Sequence, residues 1–197
     1  MLRIAHYSNF QRGFSLVEVM VALFVLSIAM LGIAGLQITS KRANFEAVQR
    51  TTATLFTQEL LERIRANDDQ LTVYTDGGAG RTIELAGSDG ITATNCTTAA
   101  CDTATLAMYD LYEFSQALSG VAESAGGTAT GGLAEPTVCI TGPAVTPGFV
   151  TVALAWRGMT RLSNPTLNAC GAGSGRYDDG GDADVHRRIL IVDTFVD

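Results

Sequence analysis

The sequence opens with a long apolar segment that contains a single charge. Between Phe14 and Leu36 the only charged residue is Glu18. The segment is long enough to cross a membrane as a helix. A carboxylate at the centre of a bilayer costs roughly 2.5 kcal/mol or more, and less towards the end of a span, where Glu18 lies. Glu18 therefore needs a partner or a function that outweighs this cost.

A short basic stretch precedes the apolar segment. Residues 1–13 contain Arg3 and Arg12 and no acidic residue. Since positive N-termini stay on the cytoplasmic side, we expect the rest of the chain to cross outward. A secretory signal has its apolar core before the cleavage site, whereas Gly13 comes before the core here, so we expect the apolar helix to survive processing. If it is not cleaved, the same segment is a plain signal anchor.

Gly13, Phe14 and Glu18, in this order behind a basic leader, resemble the type IV prepilin signature. The resemblance implies that a dedicated prepilin peptidase cuts between Gly13 and Phe14 and methylates the new N-terminus. It also implies that Glu18 pairs with the methylated amine of Phe14 on a neighbouring subunit when the filament assembles. The head domain would then lie in the periplasm of a Gram-negative bacterium, anchored in the inner membrane, and later on a cell-surface pilus.

The apolar segment is predicted to continue as one helix. No proline interrupts residues 14–67, and apolar residues recur at three- and four-residue steps from Phe45 to Ile64. We expect the helix to end near residues 66–69, after about 80 Å at 1.5 Å per residue. Residues 14–36 would span the membrane and later lie in the filament core, and residues 37–67 would pack on a head. Gly32 and Gly35 indicate close helix packing or a place where the helix stretches on assembly.

Residues 68–197 are predicted to form an α+β head. Residues 68–95 are typical of a loop, with a short strand at 81–85, and residues 102–118 of a helix capped by Asp102. Residues 119–132 are glycine-rich and indicate a flexible connection. Strands of an antiparallel sheet are predicted at 137–141, 149–156 and 188–196, with an irregular loop over 157–187. The overall prediction is a pilin-like lollipop, a long N-terminal helix packed on a small antiparallel sheet.

Four cysteines follow the apolar segment: Cys96, Cys101, Cys139 and Cys170. An even number in an oxidising compartment indicates disulfides, and three pairings are possible. We favour Cys96–Cys101 and Cys139–Cys170, of which the second contributes roughly 3–4 kcal/mol in the chain-entropy model. A zinc site is disfavoured because no Cys-x-x-Cys pair is present and only His6 and His186 could assist.

Charge and motifs exclude several function classes. The net charge of −7 argues against nucleic-acid binding, which needs a basic surface. The chain has no Gly-x-Ser-x-Gly, P-loop or His-Glu-x-x-His motif, so we predict neither an enzyme nor a cofactor. The acidic stretch 178–184 lacks EF-hand spacing and is better explained as a solvated turn than as a calcium site.

Later motifs resemble one family of minor pilins, the pilus modification protein PilV. They are residues 60–67 at the end of the long helix, the Cys96–Cys101 pair leading into 109–112, residues 152–157, and Arg187–Arg188. This resemblance implies a tip or initiating complex with other minor pilins, to which the major pilin is added by the inner-membrane assembly platform. Residues 119–132 and 157–187 are the candidate partner surfaces.

Two other functions fit the same N-terminus. A minor pseudopilin of type II secretion shares the residues from Phe14 to Glu18, and its deletion would impair protein export instead of piliation and twitching. A membrane-anchored periplasmic binding domain or enzyme would remain uncleaved at Gly13 and would carry a pocket with convergent polar groups.

Overall fold

The longest element is the N-terminal helix. In the computed structural model, which describes residues 13–84, 91, 94–121 and 123–197, helix α1 spans Leu16–Ala66, 51 residues. The helix is continuous through Gly32 and Gly35 and ends where the sequence predicts. The leader residues 1–12 and the predicted strand end at Leu85 lie outside the described residues.

The chain divides into two units, Met1–Ala43 and Asn44–Asp197. In the described part of the first unit every side chain is exposed, including those of Phe24 and Leu31. Its part of α1 contains a window long and apolar enough to cross a membrane. Within the described part of this unit, the apolar side chains are therefore not buried against one another.

The buried stripe of α1 lies in the second unit and differs from the predicted one. Val48 and Leu55 belong to the apolar series from Phe45 to Ile64 that predicts the packed face, but they are 60% and 61% exposed. The buried residues of the helix are Gln49, Ala53, Thr57, Leu60, Leu61 and Ile64. Polar residues can occupy such a stripe when they are hydrogen-bonded: the Thr57 hydroxyl donates to Ala53 O (2.8 Å). A prediction based on apolar residues alone therefore chose the wrong side chains at the start of the stripe.

Two helices follow α1. The Asn67 side chain donates to Thr103 O (2.8 Å), and a 3-10 turn (Asp68–Gln70) and helix α2 (Leu71–Tyr74) occupy part of the predicted loop. Leu71 and Tyr74 are fully buried, which explains why this stretch is ordered onto the core instead of forming a loop. Helix α3 spans Thr103–Leu118, and the Asp102 carboxylate accepts from Thr105 N (2.7 Å), which confirms the predicted cap.

The strands are, in chain order, β1 (Arg81–Ile83), β2 (Ser124–Ala125), β3 (Thr128–Ala129), β4 (Thr137–Thr141), β5 (Gly148–Arg157) and β6 (Arg187–Val196). Four of them form an antiparallel sheet in the order β1-β4-β5-β6. The alternating β5 side chains Val150, Val152, Leu154 and Trp156 are buried in one core with α1 and α3. Phe56 of α1 meets Phe114 of α3 edge-to-face, with ring centroids 6.1 Å apart. The predicted α+β fold is confirmed.

The glycine-rich segment 119–132 is not the unstructured connection that the sequence predicts. Strands β2 and β3 pair as a hairpin. Gly126 and Gly127 join them with φ of 62° and 83°, values that a two-residue hairpin turn requires and glycine adopts at low cost. The same glycines that indicated flexibility therefore build a defined turn.

Candidate processing and assembly site

The expected processing site precedes the first helical residue. Gly13, Phe14 and Ser15 lie before α1, and Phe14 is 84% exposed. A Cβ atom added at Gly13 would meet no heavy atom within 4 Å in the described chain. The described part of the fold therefore does not require glycine at position 13.

Glu18 lies in the first turn of α1. A carboxylate in this position interacts favourably with the helix dipole. It is four residues after Phe14, so both lie on the same side of the helix start, together with Ala22 and Leu26. The Glu18 side chain is exposed and has no hydrogen-bond or ion-pair partner in residues 13–84, 91, 94–121 and 123–197. Its charge is thus available to a group outside the chain.

Glu46, which the sequence analysis does not single out, binds the segment that follows β5. Its Oε1 accepts from Met159 N (2.6 Å), Thr160 N (3.1 Å) and Thr160 Oγ1 (3.3 Å). It also forms an ion pair with Arg188 Nη2 (3.3 Å), in which the Glu46 and Arg188 side chains are 23% and 13% exposed. Burial alone would raise the pKa of Glu46, but the Thr160 and Met159 N–H groups and the charge of Arg188 outweigh it and lower the pKa.

A second polar cluster joins the end of α1 to α3. Arg63 pairs with Glu59 (2.8 Å), Asp110 (3.0 Å) and Glu113 (3.3 Å). The Tyr74 hydroxyl donates to the other Asp110 oxygen (2.8 Å). Burial and then this hydrogen bond raise the pKa of Tyr74 above its ordinary value. The cluster connects α1, α2 and α3, with Arg63 and Asp110 partly buried and Glu59 and Glu113 exposed at its edge.

The four cysteines form two disulfides far from Glu18 in sequence. Cys96 is bonded to Cys101, and Cys139 to Cys170. The second bond fastens the segment 158–186, which contains no helix or strand, to the centre of β4. Tyr177 fastens the same segment again, since its hydroxyl hydrogen-bonds with Glu135 O (2.8 Å).

Arg187 organises the interior of the segment 158–186. It is 2% exposed, and it donates to Asn164 Oδ1 (3.0 Å), Asn168 O (2.9 Å), Cys170 O (2.8 Å) and Pro165 O. The Asn164 amide in turn donates to the buried Asp184 carboxylate (3.2 Å). One amide thus connects a buried cation to a buried anion.

The acidic stretch 178–184 uses its carboxylates within the protein. Asp178 accepts from Asp184 N (2.8 Å), and Asp179 and Asp182 pair with Arg161. Nδ1 of the buried His186 lies 3.1 Å from Gly158 O, and its Nε2 lies 3.4 Å from Asp179. Within the described ranges no group of three or more His, Cys, Asp or Glu residues is arranged to hold a metal ion.

Comparison with known proteins gives two matches. The model of the prokaryotic N-terminal methylation motif matches residues 8–34. The model of the family described as type IV pilin Tt1218 matches residues 35–112. No curated protein and no solved structure matches the chain significantly. The two matches together cover the N-terminal signature, all of α1 and most of α3, and the chain is therefore a type IV pilin.

Proposed function

We propose that this pilin is a minor subunit of the PilV type, which helps to start pilus assembly and is then carried in the filament. The observation that carries the proposal is the exposed apolar helix in which Glu18, four residues after Phe14, has no partner among the described residues. The PilV-like motifs in the head support the subfamily. Residues 60–67 lie at the end of α1, and Arg187 and Arg188 hold the segment 158–186 and Glu46.

In this proposal the N-terminal unit anchors the protein in the membrane. Residues 14–36 reach about 34 Å as a helix at 1.5 Å per residue, slightly more than the hydrocarbon core of about 30 Å. Exposed side chains such as Leu16 (73%), Phe24 (67%) and Leu31 (74%) gain roughly 1.5–3 kcal/mol each when an apolar environment covers them. Lipid of the inner membrane covers them before assembly, and the helices of neighbouring subunits cover them afterwards.

Glu18 acts when the subunit leaves the lipid. Prepilin peptidase cuts after Gly13 and methylates the amine of Phe14, and the Glu18 carboxylate then pairs with the Phe14 amine of an adjacent subunit. In a water-free core an isolated charge costs several kcal/mol, so the pair selects the axial register in which both charges are neutralised. The pair provides specificity more than net stability.

The head makes the contacts with other minor pilins, with the major pilin and with the assembly platform. Its candidate surfaces are residues 119–132 and 157–187. The second contains exposed apolar side chains such as Met159 (50%), Leu162 (55%) and Leu167 (89%), held in place by the Cys139–Cys170 bond. An exposed loop that carries apolar side chains is suited to a protein contact.

The N-terminal mass of the chain, isolated from membranes with and without prepilin peptidase, tests the processing step. We expect an N-methylated Phe14 terminus in the first sample and the full leader in the second. An intact leader in both samples, or a cut beyond Leu36, would refute processing as a pilin and would favour a plain membrane anchor.

Deletion of the gene separates a pilus subunit from a secretion pseudopilin. We expect a loss of surface pili and twitching with protein export unchanged, and restoration of both by the wild-type chain. A deletion that stops export and leaves piliation intact would assign the chain to type II secretion instead.

A further inference from the structure

A groove of about 710 Å³ opens beside the start of β6. Residues 46–50 of α1 form one wall, residues 160–167 form another, and residues 187–190 of β6 lie along the side. Leu162 and Leu167 expose apolar surface at its rim. The groove has the size of a typical ligand pocket, and its long side is a strand.

That strand is an edge of the sheet. β6 pairs with β5 on one side only, over ten residues. Within the part of the chain that the structure describes, the backbone of residues 188–196 has no hydrogen bonds other than those to β5. Alternate N–H and C=O groups of an edge strand point outward and can pair with another extended chain. Ile189, Leu190, Ile191 and Val192 have the β-branched or apolar character that favours such pairing.

The groove also contains a buried donor without an acceptor. Trp156, which lines the groove, is 4% exposed, and its indole Nε1 has no hydrogen-bond partner in the described residues. Buried N–H groups are normally paired. Because the Nε1 atom itself has no surface open to the groove, a bound segment cannot accept this N–H, and the indole contributes apolar surface to the groove wall instead.

The charge of the groove is opposite to that of the chain. Its lining contains Arg50, Arg187 and Arg188 but only one carboxylate, Glu46, whereas the net charge of the chain is −7. Arg188 is paired with Glu46, while the Arg50 side chain has no ion-pair or hydrogen-bond partner in residues 13–84, 91, 94–121 and 123–197. A bound segment would therefore favour a carboxylate near Arg50.

We propose that the groove and the free edge of β6 bind an extended segment of a second pilin subunit. The segment adds as a further strand beside β6 and places a carboxylate next to Arg50. This inference goes beyond the proposed function, because it applies to any pilin that contacts the head and does not require a priming role. It also does not depend on cleavage at Gly13, so the two proposals can fail separately.

The full chain in detergent micelles provides its own reporter, because Trp156 is its only tryptophan. The probe is a peptide of about seven residues that alternates valine and threonine around one aspartate, a length and pattern suited to one strand. We expect a saturable change in Trp156 emission with this peptide. The same peptide with N-methyl groups on alternate backbone nitrogens should bind at least about tenfold more weakly, because several strand hydrogen bonds are lost.

Variants identify the side chains that take part. Arg50→Ala should weaken the aspartate peptide about threefold to fivefold and leave its asparagine analogue unchanged. Arg42→Ala, which removes an exposed arginine outside the groove, is the matched control and should change neither.

Three results would overturn the inference. The first is an unchanged Trp156 emission at about 1 mM of the aspartate peptide, a concentration at which even weak binding is visible. The second is that the N-methylated peptide binds as tightly as the unmethylated one. The third is that Arg50→Ala and Arg42→Ala change the affinity for the aspartate peptide equally. Retained secondary structure of each variant by circular dichroism separates lost binding from lost folding.

Discussion

Glu46 provides a direct test of how the head is held on α1. In Glu46→Ala, Met159 N and Thr160 N lose their acceptor and Arg188 loses its counter-charge, although Arg188 keeps a hydrogen bond to Thr160 O (2.6 Å). Breaking a buried ion pair costs about 3–5 kcal/mol and an exposed one about 0.2–1 kcal/mol. Since these side chains are 23% and 13% exposed, we expect a loss of about 2 kcal/mol in the free energy of unfolding.

Glu46→Gln separates the charge from the hydrogen bonds. The amide oxygen can still accept from Met159 N and Thr160 N, so we expect a loss of about 1 kcal/mol. Thermal unfolding of the full chain in micelles, followed by Trp156 emission, should show Tm lowered by about 2–4 °C for each kcal/mol. Glu62→Gln is the matched control, because Glu62 is 71% exposed in its pair with Arg65 and should cost less than about 0.5 kcal/mol.

The pH dependence of this effect has a defined sign. Because the pKa of Glu46 is lower in the folded state, its contribution is fully present above the ordinary carboxyl pKa of 4.5 and is lost as the pH falls through the folded value. The Tm difference between the wild type and Glu46→Gln should therefore be largest near neutral pH and shrink on acidification. Equal Tm values at neutral pH, or a difference that grows in acid, would refute the role assigned to Glu46.

Three further predictions concern the N-terminus and the segment 158–186. Glu18→Gln should be processed and inserted in the membrane normally but recovered poorly in sheared pili, and normal incorporation would contradict the pairing with Phe14. Replacing both cysteines of Cys139–Cys170 with serine should lower the free energy of unfolding by about 3–4 kcal/mol. Replacing both cysteines of Cys96–Cys101 should lower it by less, because that disulfide closes a shorter loop. A larger loss from the Cys96–Cys101 variant would contradict the dependence on loop length. Arg187→Met leaves at least three oxygens without their donor, so it should destabilise the head by about 3 kcal/mol or more. The segment 158–186 should then become sensitive to proteolysis. An unchanged cleavage rate would show that the segment does not depend on Arg187.

Features coded by neighbouring residues could be predicted from the sequence. The end of α1, the Asp102 cap and the strands β4, β5 and β6 each follow from a pattern within a few residues. The prepilin signature is equally local, and a family match at residues 8–34 agrees with it.

Features that depend on distant residues could not be predicted. Glu46 meets Met159 across 113 positions, and nothing in the amphipathic half of α1 distinguishes it from Glu59 or Glu62. The buried stripe begins with Gln49, a polar residue whose place is explained by a hydrogen bond from Ala134 N (3.0 Å). The groove beside β6 likewise exists only because α1, β5 and β6 meet there. No sequence pattern predicts that the Trp156 N–H lacks an acceptor among the described residues.

The hydrogen-bond acceptors of Arg187 have a consequence for how the head responds to acid. Three of its acceptors are backbone carbonyls and the fourth is the Asn164 amide, and none of these oxygens takes up a proton in mildly acidic surroundings. Glu46, by contrast, holds its partners with a carboxylate. Acidification should therefore loosen the attachment of Met159 and Thr160 to α1, while the four hydrogen bonds that Arg187 itself donates persist.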